Sequence, residues 1–223
     1  MKLTIHAISD THNRHLNLKL PGGDILIHAG DATLKGLHSE IVPFLDWYAD
    51  QDYSSLIFVP GNHDFLFEKD PELVSKMCSE RGIILLNDSG TDLEGIKVWG
   101  SPITPWFFDW AFNRHANEIK KHWDMIPNNT EILITHGPAH NVLDFIPKQN
   151  KSAGCPYLLE KIMASQIKLH VCGHIHEGRG YTYKHAKTWV NASVLDGRYR
   201  PIGNNPTEII KDATGDYSIE SES

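Results

Sequence analysis

Short apolar runs recur along the chain at residues 3–9, 24–29, 56–59, 132–135 and 168–172. Their length and aliphatic content suit strands buried on both faces, although periodicity alone does not separate them from buried helix. The segments between follow a different period. Ile41, Phe44, Leu45 and Tyr48 fall at offsets of three, four and seven, which gathers them on one face of a helix. Asp70 before Pro71 predicts a helix start, with an acceptor at the cap and proline at the first helical position. Cys155 and Pro156 predict another, with Leu158, Leu159, Ile162 and Met163 expected to face the core. Residues 91–100 read as two short strands about a turn at Glu94 and Gly95, and 189–193 as a further strand. Strands alternating with helices, with antiparallel pieces added, predict an α/β fold of two packed mixed β-sheets flanked by helices. The expected division is one domain over residues 1–211 and a polar tail at 212–223.

Composition narrows the class. At 40% hydrophobic and 22% charged residues the chain is ordinary for a globular protein, which argues against fibrous, disordered or membrane classes. A formal net charge of -7 and no long basic run disfavour a protein that grips duplex nucleic acid. Cys78, Cys155 and Cys172 are odd in number and lack close pairing, so neither a disulfide framework nor a thiolate zinc site is indicated. The first residues, MKLTIHAISDTH, lack the uninterrupted apolar core of a secretory signal, and no run approaches the length of a membrane helix. A reducing cytoplasm is the expected location. Histidine is the outlier: 14 residues, many beside Asp, Asn or Gly, a bias that needs a chemical cause.

Each of the five apolar runs ends in a polar cluster. These are Asp10 and His12, Asp31 after Gly30, Asn62-His63-Asp64 after Gly61, His136 before Gly137, and His174 with His176 after Gly173. Singly, most have a plain structural explanation as caps or turn residues. His174 and His176 resist it, because side chains two apart in an extended segment point to the same side and would offer two nitrogens on one face. Loops at the carboxyl ends of neighbouring strands converge on one crevice, so separate clusters can form one site. Oxygen and nitrogen donors without sulfur suit divalent manganese, iron or zinc.

Taken in order, D-x-H, G-D, G-N-H-D, H-G and G-H-x-H resemble the signature of the calcineurin-like metallophosphoesterases. The segments beginning at Gly100, Thr135, Gly173 and Val190 extend the resemblance to proteins grouped with class III cyclic-nucleotide phosphodiesterases. The resemblance implies a four-layer α/β/β/α sandwich and two divalent ions. Asp10, His12 and His176 would hold one ion, Asn62, His136 and His174 the other, and Asp31 would bridge them. Such a pair clamps an in-line displacement at phosphorus and lowers the pKa of bound water from 15.7 to about 7. His63 would steady the phosphoryl oxygens or protonate the leaving group, with Asp64 orienting it. Ala139 and His140 depart from the common THGPP form of the family and put the contacts of that loop in question.

Arg14 and His140 are candidate substrate contacts, and His115 a weaker one. Trp106, Phe107, Phe108, Trp110 and Phe112 are expected to pack the core rather than to wall a base pocket. The expected reaction is hydrolysis of a phosphodiester, such as a cyclic nucleotide, by metal-activated hydroxide. The expected partner is that small phosphoester, with neither duplex nucleic acid nor membrane. A single-strand nuclease, a phosphomonoesterase and a metal-binding scaffold without turnover stand as alternatives.

Overall fold

The computed structural model describes residues 2–203 and 205–220. The first half of the chain lays down β1 (Leu3–Ile8), β2 (Gly23–His28), α1 (His38–Ala49), β3 (Tyr53–Phe58), α2 (Phe65–Lys69), α3 (Pro71–Ser79) and β4 (Ile83–Leu85). These four strands are parallel neighbours in sequence order. A second sheet opens with the hairpin β5 (Ser89–Leu93) and β6 (Ile96–Ser101). It continues through α4 (Ala116–Asp124), β7 (Ile132–Thr135), α5 (Pro156–Met163), β8 (Leu169–Cys172), β9 (Gly180–Lys184) and β10 (Lys187–Asn191). The chain then returns to the first sheet with β11 (Thr207–Lys211) and β12 (Tyr217–Ile219). The two six-stranded sheets run in the orders β12-β11-β1-β2-β3-β4 and β9-β10-β8-β7-β6-β5. Both are mixed, as expected, with four parallel strands each and antiparallel strands toward the edges.

Successive side chains of a strand face opposite ways, and here both faces are covered. Ile5, Ala7, Ile25, Ile27, Ile57 and Val59 point inward against Ile132, Ile134, Leu169, Val171, Val190 and Ala192 of the second sheet. Their neighbours Ile8, Leu26, Phe58, Leu133 and Trp189 point outward and join the helix residues Ile41, Phe44, Leu45, Tyr48, Trp123 and Ile162. That is why the strands read as unbroken apolar runs and not as alternation. The Asp70 carboxylate accepts from Leu73 N at 3.1 Å and caps α3 as its position predicts.

Two expectations are corrected. In α5, Leu158 and Ile162 are buried, Leu159 is half-buried, and Met163 is exposed, because the core-facing stripe is narrower than four residues. The polar stretch from Asp212 is, as far as Glu220, a tight turn and a strand. Asp212 Oδ1 accepts from Thr214 N and Asp216 N, and the buried Tyr217 donates its hydroxyl to Glu131 at 2.8 Å. The boundary expected at residue 211 falls inside this hairpin, and residues 221–223 lie outside those described.

Inter-sheet packing predicts that Ile57→Ala lowers the unfolding free energy by about 2–5 kcal/mol. Met163→Ala should change it by less than about 0.5 kcal/mol in the same urea titration.

Candidate metal centre

The loops that follow β1, β2, β3, β7 and β8 meet at one edge of the sandwich. They bring Asp10 and His12, Asp31, Asn62 and His63, His136, and His174 with His176 to a common cleft. The backbone there is unusual. Asp10, His12, Asp31 and His174 have φ of 57°, 41°, 56° and 68°, left-handed values that cost a side-chain-bearing residue about 1–3 kcal/mol each. Asp10 N donates to Gly30 O at 2.8 Å and His12 N to Asp31 O at 3.0 Å, so the first loop is zipped onto the second. A Cβ on Gly61 would overlap the backbone and carboxylate of Asp31, and one on Gly173 would overlap Ser9 and the Asp10 carboxylate. These two glycines let the loops close.

Three groups of donors overlap: Asp10-His12-His176, His12-Asp31-His63 and Asp31-His136-His174, each with its ligand atoms within 4.8 Å of one another. Asp31 presents Oδ1 to His136 Nε2 at 3.4 Å, and Oδ2 to His12 Nε2 at 3.7 Å and His63 Nε2 at 4.0 Å. Asp10 Oδ1 lies 3.4 Å from His176 Nε2, and Asn62 Oδ1 3.0 Å from His136 Nε2. The outer nitrogens are committed elsewhere. Nδ1 of His12, His63, His136 and His176 lies 2.8–3.1 Å from the carbonyls of Thr33, Leu34, Ala29 and Asp196 respectively. Those carbonyls accept a hydrogen bond from Nδ1–H, which leaves Nε2 as the nitrogen facing the cleft.

Burial opposes ionisation of Asp10 and Asp31, but His176 and His136 respectively outweigh it and hold both carboxyls below the usual range. Burial likewise opposes charge on the two imidazoles, and Asp31 pushes His136 up to about 9 while Asp10 does the same for His176. Burial and the neighbouring His136 push His174 down to about 3. His12 Nε2 is buried without a hydrogen-bond partner, a lone pair aimed at carboxylates. Two carboxylates, an amide oxygen and imidazole nitrogens, with no thiolate among them, fit divalent zinc, manganese or iron.

Several sequence expectations change. His174 and His176 do not share one face of an extended segment: His174 is left-handed and His176 opens a short 3₁₀ turn, which sends one ring to His136 and the other to Asp10 and His12. Asp64 does not orient the His63 ring, whose Nδ1 is held by Leu34 O. Its buried carboxylate instead accepts from Gly61 N, Ala32 N, Thr33 N and the Thr33 hydroxyl, which ties the Asp31 loop to the Asn62 loop. Arg14 and His140 do not line the cleft; Arg14 is exposed and His140 faces Asp144 at 3.7 Å. His115 is exposed and stacks on Trp106 at 4.9 Å without lining the cleft.

Phe112 packs the core as expected, but Trp106, Phe107 and Phe108 are exposed, and Trp106, Phe107 and Trp110 line a cleft of about 430 Å³. Trp110 lies on the His63 ring at 4.3 Å, and Phe107 on His174 at 5.3 Å. Sequence reading missed Tyr199, whose ring lies 4.7 Å from His12 and 5.3 Å from His176. It also missed Asp196, which accepts His176 through its carbonyl and pins the Tyr199 loop through its carboxylate. The Asp-Gly pair at 196–197 signals a turn, but nothing in it signals the histidine.

The model of the family described as Calcineurin-like phosphoesterase matches residues 3–178. The chain is 38% identical over 228 residues to human metallophosphoesterase domain-containing protein 1, covering 92% of this chain and 69% of that protein. The mouse protein of the same name matches equally. The crystal structure of TT1561 of Thermus thermophilus shares the fold at a TM-score of 0.63, with 13% identity and 99% of both chains covered.

In chelator-treated protein, His136 and His176 keep their protons to about pH 9, against an ordinary value of 6.5. Their stabilisation is complete below pH 6.5 and is lost as pH rises through 9. The melting temperature of that metal-free protein should therefore fall across this window in differential scanning calorimetry. Added divalent metal competes with those protons, so its stabilising effect should grow over the same window.

Proposed function

This chain belongs to the calcineurin-like phosphoesterase family, and we propose that it hydrolyses nucleotide phosphodiesters, cyclic ones among them, at a centre of two divalent ions. Membership makes it a hydrolase, a metal-dependent phosphoesterase. The two-ion reading is carried by one observation: Asp31 is shared between two donor groups that otherwise use different residues. Asp10, His12 and His176 would hold one ion, and Asn62, His136 and His174 the other, with Asp31 between them. When bound, such ions supply Lewis acidity at phosphoryl oxygens and a water of lowered pKa.

The chain's own side chains do the rest. His63 stands at the edge of the donor groups with Nδ1 held by Leu34 O and its face against Trp110, so Nε2 is oriented toward the cleft. With Nδ1–H kept on Leu34 O, a second proton taken up at Nε2 would make the ring an imidazolium that gives that Nε2 proton to the leaving oxygen and returns to the neutral form. The aromatic wall of Trp106, Phe107 and Trp110 supports a substrate with a planar base, since such rings stack without regard to base identity. Lys151 and Gln149 on the same cleft offer donors to the phosphate or sugar. Among the described residues no helix is long and apolar enough to cross a membrane. The three free, buried cysteines favour a reducing cytoplasm.

Bis(p-nitrophenyl) phosphate turnover together with metal analysis tests the reaction; bound metal without turnover on this or on natural diesters defeats it. His63→Ala should lower kcat by about 10²–10⁴-fold with metal content unchanged. Trp106→Ala should raise KM for nucleotide diesters while leaving kcat for the p-nitrophenyl diester near wild type.

A further inference from the structure

Two histidines lie outside every donor group yet each bonds a threonine that adjoins a candidate ligand, one in each sheet. His28 ends β2 and His170 lies in β8, and both are essentially inaccessible. Each reaches a threonine hydroxyl with Nε2: His28 to Thr11 Oγ1 at 3.0 Å, and His170 to Thr135 Oγ1 at 2.8 Å. Both threonines are fully buried and adjoin candidate ligands, Thr11 standing between Asp10 and His12, and Thr135 preceding His136. Each hydroxyl then meets a carbonyl, Ala32 O at 3.3 Å and Gly137 O at 2.6 Å.

The proton directions follow from what each group can give. A threonine hydroxyl has one proton, and in both places a carbonyl takes it, so the histidine must be the donor at Nε2. For His28 the other nitrogen agrees: Gly30 N donates to Nδ1 at 3.2 Å, which requires that nitrogen to carry no proton. The rings are held in place by aromatic edges, His28 against Phe44 and Phe58 at 5.1 and 5.4 Å, and His170 against Trp189 at 5.4 Å. The two arrangements share one rule. A strand-borne neutral histidine donates to a threonine, and the threonine donates to the carbonyl of the residue just after a candidate ligand, Ala32 after Asp31 and Gly137 after His136.

We propose that His28–Thr11–Ala32 and His170–Thr135–Gly137 are paired positioning braces, one per sheet, that set the ligand loops for metal uptake. The proposal rests on the metal reading above. Past the strand ends the main chain is joined only by scattered bonds, such as Asp10 N to Gly30 O and His136 N to Ser101 O, and the side-chain relays add a second tie at each of these turns. The first brace locks the Asp10–His12 loop to the Asp31 loop. The second fixes the turn at His136 against β8, whose own end carries His174 and His176.

Calorimetric titration of the chelator-treated full chain with Mn²⁺ tests this, at a temperature where circular dichroism shows each variant folded. Thr11→Val and Thr135→Val, which keep shape and remove the relay, should each weaken Mn²⁺ binding at least about tenfold. Thr11→Ser and Thr135→Ser restore the hydroxyl and should bind within about twofold of wild type. Ile162→Ala, a cavity under α5, should lower the melting temperature without moving Mn²⁺ affinity. His28→Asn, which keeps the acceptor for Gly30 and loses the donor to Thr11, should behave as Thr11→Val. Valine variants that bind like wild type, or serine variants as weak as the valine ones, overturn the braces. A wild type that takes up no divalent ion overturns the metal reading, and the braces with it.

Discussion

The Asp31 carboxylate is the constraint on which the rest of the molecule turns. It is buried, it faces three imidazoles carried by three different loops, and its own backbone is left-handed. A buried charge without partners costs several kcal/mol, and this one is met by the His136 imidazole at 3.4 Å and by the His63 backbone N–H at 2.8 Å. His12 and His63 come from the first sheet and His136 from the second. The two sheets must therefore stack in one register before the site exists. The inter-sheet cluster, Ile, Val, Leu and Ala apart from Tyr217 at its edge, fills the space between the sheets and supplies that register.

Local strain is the counterpart of that demand. Four candidate ligand positions adopt a backbone that costs free energy, and the compensation is spread over neighbours outside the donor groups. Gly61 and Gly173 allow the close approaches, Asp64 takes amide protons from both flanking loops, and Ser193 donates to Asp10 at 2.7 Å. Asp64 has an exacting position: burial and the charge of Asp31 push its pKa up to about 6, while several amide and hydroxyl donors favour its anion. Its role is to hold the loop that carries Asn62 and His63, a different task from the one its place beside His63 in the chain suggests.

Much of this was legible in the sequence, for a physical reason. Strands buried on both faces write themselves as continuous apolar runs, and a site at strand ends writes itself as a polar cluster after each run. The hairpin at Glu94 and Gly95 and the cap at Asp70 are local signals that need no tertiary knowledge. What was hidden depends on contacts between distant residues. The carbonyls that fix His136, His12, His63 and His176 belong to Ala29, Thr33, Leu34 and Asp196, and any residue type offers a carbonyl. The split of His174 and His176 between two donor groups depends on one left-handed residue, and non-glycine left-handed residues have no reliable sequence mark. The β12 strand was hidden by its length of three residues and by the polar run from Asp212 to Asp216 before it, although Tyr217 and Ile219 both pack on the inter-sheet cluster.

The histidine excess, 14 in this chain, separates into distinct physical tasks. His136 and His176 are strongly paired with carboxylates and take up a proton readily. His12 and His174 are kept neutral, chiefly by burial. His28 and His170 are neutral donors inside the sheets and carry no ligand atom to the cleft. The division is instructive because all use the same side chain, and only surroundings decide which nitrogen is free and whether it is charged. Protons on His136 and His176 neutralise the Asp10 and Asp31 carboxylates from the same positions that divalent ions would neutralise them. A divalent ion held there would therefore have to displace those protons, which couples its binding to pH.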